Sequence, residues 1–151
     1  MDKEFDIKVK SVKEMRKLSE VYRWELMLAP TGAPIDLCIS FDFITVPHSS
    51  ELKVQIGAHY TCLRGQIVRK LLDYVIEVTF DIEELGIEAD IADGEALIDA
   101  EVLALMLGVS VGALRGMVAL RTEGSVLEKY PVPVISIREL MHGSELHFTT
   151  D

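Results

Sequence analysis

Apolar and polar residues alternate strictly over three consecutive stretches of the chain and then change to a helical period. In the first stretch Ile35, Leu37, Ile39, Phe41 and Phe43 fall on one side of an extended segment, and Asp36, Cys38, Ser40 and Asp42 on the other. Pro47-His48-Ser49-Ser50 breaks the run with turn-forming residues. The second stretch sets Leu52, Val54, Ile56, Ala58, Tyr60 and Cys62 against Lys53, Gln55, Gly57, His59 and Thr61. The third sets Leu72, Tyr74, Ile76, Val78, Phe80 and Ile82 against Asp73, Val75, Glu77, Thr79 and Asp81. Successive side chains of a strand point to opposite faces, so each stretch has one dry and one wet side. Clean alternation favours an antiparallel sheet covered on a single face, and the short connections predict a meander. Phe5, Ile7 and Val9 add a fourth strand ahead of the three. Ser11-Val12-Lys13-Glu14 reads two ways. It is either a capping box opening a helix through Met15, Leu18 and Tyr22, or a continuation of the first strand with a bulge.

After Leu85-Gly86 the period changes. Asp90 and Asp93 are candidate cap residues, and Leu97, Ile98, Val102, Leu105 and Met106 recur at helical spacing. The pattern resumes at Val111, Leu114, Val118 and Arg121, and Gly124 marks its end. Strands followed by helices predict helices laid over the dry face of the sheet. Beyond Gly124 runs Tyr130-Pro131-Val132-Pro133-Val134-Ile135, which its two prolines hold extended. Ser136 and Glu139 then form a capping box that opens a short final helix. Residues 144–151 are polar apart from Leu146 and Phe148 and are expected to fray. The fold class is therefore α+β: a four-stranded antiparallel meander sheet covered on one face by a long C-terminal helical region and a short final helix. Residues 1–151 read as a single domain.

Composition supports that size of fold. A chain of 151 residues, 49% hydrophobic, buries about two-thirds of the surface its unfolded form exposes and needs no metal or disulfide staple. Cys38 and Cys62 lie inside strand-like runs without CxxC spacing and read as small buried or half-buried side chains in a reducing compartment. The first six residues lack the basic and apolar segments of a signal peptide. The apolar region from Val102 to Val111 is too short to cross a bilayer, so the expected location is the cytoplasm, without membrane insertion.

A formal charge of −10 argues against nucleic acid as a partner, since phosphate capture depends on Lys and Arg. It is compatible with a basic protein partner.

Catalysis needs converging groups, and no motif supplies them. The four histidines, His48, His59, His142 and His147, are widely separated. His142, Glu145 and His147 read as solvated tail residues, and no catalytic, cofactor-binding or metal-binding residue is assigned. His59 shares its wet strand side with Gln55, Gly57 and Thr61, a face that reads first as a hydrated sheet surface and second as a binding surface. Ala100, Ala104, Gly108, Gly112 and Gly116 recur at spacing four. A glycine inside a helix costs roughly 0.5–1 kcal/mol relative to alanine, so three suggest close approach by the sheet, a second helix or another copy of the chain. The competing reading breaks the helix, with Gly108 ending one segment and Ser110 capping the next.

The order sheet, long helix, extended Pro-Val segment and capped second helix resembles the SecB family of export chaperones. Arg115 stands in the place of that family's helix arginine, Arg121 to Gly124 in the place of its Arg-Gly-type turn, and Pro133-Val134 in the place of its Pro-Val. Ser136 takes the cap position, and Leu140-Met141 begin the apolar side of the last helix. The family's aromatic and cysteine-containing sheet motifs are not evident, and Gly112 and Gly116 replace bulkier residues, as in a divergent member.

The resemblance implies a chaperone that holds unfolded client polypeptides in apolar grooves, works as a homo-oligomer (dimer or tetramer) and has a translocase motor among its partners. Groove candidates, where strand edges meet the extended crossing, are Tyr60, Tyr74, Phe80, Tyr130, Val132 and Ile135. Ala104, Gly108, Gly112 and Gly116 are the interface candidates. Two other readings stay open: a small enzyme or ligand-binding domain using His59 or the Glu77/Asp81 face, and a structural partner subunit.

Overall fold

In the computed structural model, residues 7–16, 34–64, 66–82, 100–141 and 146–148 are described. Phe5, Leu18, Tyr22, Asp90, Asp93, Leu97, Ile98, His142 and Glu145 lie outside them. Four long antiparallel strands form the sheet: β1 (Ile7–Arg16), β2 (Ile35–Thr45), β3 (Glu51–Arg64) and β4 (Ile67–Ile82). β2, β3 and β4 make the meander that alternation predicts, with Leu37 opposite Tyr60 and Ile56 opposite Ile76. β1 does not sit beside β2. It pairs with β4, Ile7 opposite Ile82, so the order is Greek-key rather than a four-strand meander. The stretch after Ser11 resolves as strand through Arg16, with register shifts between Val9 and Ser11 and between Glu14 and Arg16. Inside the tail expected to fray, β5 (Leu146–Phe148) pairs with the start of β2.

The dry side matches the alternation closely. Leu52, Val54, Ile56, Ala58, Tyr60 and Cys62 of β3 are buried with Leu72, Tyr74, Ile76, Val78, Phe80 and Ile82 of β4. A shift between Tyr60 and Thr61 leaves Leu71 as an extra residue in β4, itself buried. Of the cysteines, Cys62 is buried, whereas Cys38 is exposed on the polar face because it falls on the wet side of β2.

A single long helix, α1 (Ala100–Arg121), covers this face with Val102, Met106, Leu107, Val111, Leu114 and Val118. It passes through Gly108 and Ser110 unbroken, which excludes the helix-break reading. Ser110 does not act as a cap; its hydroxyl donates to the Met106 carbonyl one turn back, 2.8 Å away, and so stays satisfied while buried. By length and composition Glu101–Arg121 is apolar enough to cross a membrane. The expectation of a stretch too short to do so fails because the glycines do not interrupt the helix.

Glu101 in the first turn and Arg121 in the last oppose the helix macrodipole. Gly124, at φ 79°, takes the left-handed conformation that ends the helix at low steric cost. A short 3-10 turn, Val126–Lys129, follows, and α2 (Ile137–Met141) closes the helical layer.

Between them residues 130–136 cross the molecule extended. A segment interrupted by Pro131 and Pro133 cannot enter a regular ladder, so its carbonyls need side-chain donors. Tyr60 Oη donates to the Tyr130 carbonyl at 2.6 Å, and Arg115 Nε to the Val132 carbonyl at 2.9 Å. At the far end of α1, Arg121 makes a bidentate pair with Glu14 of β1 at 2.7 and 3.0 Å, and Tyr74 Oη donates to the same carboxylate at 2.7 Å. These bonds fix the helix across strands that meet only through tertiary contact.

Candidate functional site

The aromatic residues expected to line a groove are core residues. Tyr60, Tyr74 and Phe80 retain 0% exposure and Val132 2%, because α1 and the crossing close over the dry face. A side chain without accessible surface offers none to a client, so these four are corrected to structural positions. Tyr130 and Ile135 are half-buried against the core and keep part of their surface. Burial pushes the Tyr60 hydroxyl up from its ordinary range, and burial first, then the bond to Glu14, pushes Tyr74 up to about 12. Both are neutral donors at ordinary pH.

The small-residue stripe lies on the other side of α1. A side chain at Gly108 would meet Ile137 of α2 at 3.9 Å, and one at Gly112 or Gly116 would meet nothing within 4 Å. Ala104 is partly covered. Thus α2 approaches Gly108, while Gly112 and Gly116 face outward.

Leu105, which helical spacing placed with the covering stripe, is instead 57% exposed, and the large apolar residues near it, Val109 and Leu120, are 43% and 69% exposed. Their signal was a helix apolar on all sides, with more apolar surface than one sheet can cover. The surface leads into an open depression of about 400 Å³ between Gly116, Ala119, Leu120 and Pro131, with Glu123 and Glu128 also lining it. Val134 of the crossing is 84% exposed. Chemically this is a shallow apolar surface with an acidic end.

The wet face of the sheet is a polar lattice. Gln55 Nε2 donates to Glu77 at 2.9 Å, and Lys53 lies 3.5 Å from the same carboxylate. The Gln55 bond is the main cause that holds Glu77 below the ordinary glutamate range. Ser50 donates to Asp81, and Lys10 pairs with Glu51. Ser40, His59 and Asp73 are joined across three strands. Sequence reading singled out His59 alone, because its partners lie 19 and 14 residues away and only the register brings them together. Among the described residues no group of three or more His, Cys, Asp and Glu could hold a metal ion.

No family model matches the sequence, and no curated protein matches it. A solved structure does: Mycobacterium tuberculosis Rv1957, a SecB-like chaperone, in complex with a ChAD peptide from the Rv1956 HigA1 antitoxin. The TM-score is 0.51 at 15% sequence identity, over 87% of this chain and 86% of that one. At this identity the relationship is a distant one of fold.

Proposed function

We propose that this chain is a chaperone-like protein that binds unfolded or extended polypeptide segments through apolar surface left open by its own fold. The observation that carries the reading is the outer side of α1, where Leu105, Val109 and Leu120 stay exposed and run into the depression beside Pro131. Burying such side chains under a client gains roughly 25 cal/mol per Å² of apolar area removed from water. The fold neighbour holds a peptide from a partner protein, and the same kind of occupant is proposed here. Glu123 and Glu128 at the depression, with a formal charge of −10 overall, favour clients with basic segments.

The reading includes a homo-oligomer that packs through Ala104, Gly108, Gly112 and Gly116; Gly112 and Gly116 share the outer side of α1 with Leu105, Val109 and Leu120, so a second copy and a client compete for that surface. It also includes a cytoplasmic location and a role in protein export with a translocase motor as partner.

The test is aggregation of a chemically unfolded client at stoichiometric amounts of this protein. Suppression by the wild type, weakened in Leu105→Ser/Leu120→Ser, is expected. No suppression by the wild type overturns the reading. Sedimentation of Gly112→Leu separately tests the oligomer, which is expected to dissociate; unchanged sedimentation removes the stripe as an interface.

A further inference from the structure

On the polar face of the sheet, Ser40 of β2, His59 of β3 and Asp73 of β4 form one line across adjacent strands. His59 stands opposite Cys38 on one side and Asp73 on the other, and Ser40 stands opposite Gly57. Asp73 Oδ1 is bonded to His59 Nδ1, and His59 Nε2 lies 2.8 Å from Ser40 Oγ. An ionised carboxylate only accepts, so Nδ1 carries the ring proton. The Nε2 of a neutral ring then keeps its lone pair and accepts from the Ser40 hydroxyl. A ring nitrogen aimed at a hydroxyl, with a third group orienting the ring, is the arrangement that activates a serine nucleophile.

Gly57 makes the line possible. A Cβ there would sit 2.8 Å from His59 Nε2, 2.9 Å from Ser40 Oγ and 2.9 Å from Val75 Cγ2. The imidazole thus reaches over a position where any other residue would block it. Ser40 is exposed, and the His59 and Asp73 side chains keep 29% and 13% of their surface. The nucleophile is therefore accessible, while the orienting carboxylate is largely withdrawn from water.

The geometry points to Ser40 as an activated nucleophile that takes an acyl group from small, reactive acyl donors such as aryl esters, with His59 as general base and Asp73 as positioning residue. Ser40 Oγ bonds to the carbonyl carbon as its proton passes to Nε2. The tetrahedral adduct collapses, the bond to the aryl oxygen breaks, and the leaving phenoxide takes the proton from His59. The products are a phenol and O-acyl-Ser40. Water releases the carboxylic acid by the same route. The face is open and gives an acyl chain no enclosing walls, which restricts the donor class to reactive esters rather than amides. Nothing in this step depends on the polypeptide-binding reading.

The full chain is incubated with p-nitrophenyl acetate and followed by peptide mass spectrometry. Acetylation of Ser40 at least about tenfold faster than of the exposed Ser11 and Ser136 in the same sample is expected, because general-base assistance contributes roughly 10²–10⁴-fold. Ser40→Ala abolishes the adduct at that site, and His59→Gln slows it about 100-fold. For Asp73→Asn, a slower rate should accompany a move of the His59 ring proton from Nδ1 to Nε2 in the ¹⁵N spectrum, which a purely structural role would not produce. Ser40 reacting no faster than Ser11 in the wild type overturns the proposal without any variant. An unchanged rate in a folded His59→Gln protein overturns it too.

Discussion

The two long sides of α1 are made of similar residues and have different fates. Inward, Val102, Met106, Leu114 and Val118 are buried against β3, β4 and the crossing. Outward, Leu105, Val109 and Leu120 remain exposed beside Gly112 and Gly116. Hydropathy alone does not separate the sides. An apolar side chain contributes to stability only where another element removes it from water. On the inner side that free energy already holds the monomer together. On the outer side it remains available to a partner.

The sharpest way to break this contrast is to truncate each side and compare. Leu114→Ala, inside the packed interface, should lower the unfolding free energy by about 2–5 kcal/mol in urea denaturation. A cost near zero would mean that α1 is not anchored as described.

Next in size is Gly57→Ala on the polar face. The new methyl meets atoms at 2.8 to 2.9 Å and should cost about 1–3 kcal/mol by the same measurement. A neutral or stabilising result would show that His59 moves aside freely.

Tyr74→Phe, at the end of the buried side, should cost about 1 kcal/mol at neutral pH through its lost bond to Glu14. It also tests a pH limb. The folded hydroxyl is raised to about 12 from its ordinary 10.0. Between those values the unfolded chain has released a proton that the folded chain retains, so stability is full below pH 10 and falls as pH rises toward 12. Tyr74→Phe should flatten that part of an alkaline stability profile.

The smallest expected effect on stability belongs to the outer side. Leu105→Ser and Leu120→Ser should each change the unfolding free energy by no more than about 0.5 kcal/mol while weakening client holding. A loss as large as that of Leu114→Ala would erase the distinction between the two sides.

Some of this was legible in the chain. The alternation from Ile35 to Ile82 identified the dry residues of β2, β3 and β4, and Ser136 with Glu139 marked the start of α2. The Ser136 hydroxyl accepts from the Glu139 N–H at 3.4 Å. The position of β1 was not legible, because its partner β4 is distant in sequence and β1 carries bulges that offset the period. Tyr60, Tyr74 and Phe80 were correctly placed on the dry face but wrongly left open, since alternation says which way a side chain points and nothing about what covers it. Gly57 looked isolated until the register set it beside Ser40 and Val75.

By itself the sequence determined the local elements: strand faces, a region of helical period, an extended proline segment and a capped end. These follow from backbone geometry, which links residues only two to four positions apart. The tertiary structure alone decided which apolar faces were covered, which side of α1 stayed open and which polar residues met across the strands. Burial and register are relations between distant segments. Their free energy depends on the order in which the strands pair and the path by which α1 crosses them, neither of which any single stretch of sequence contains.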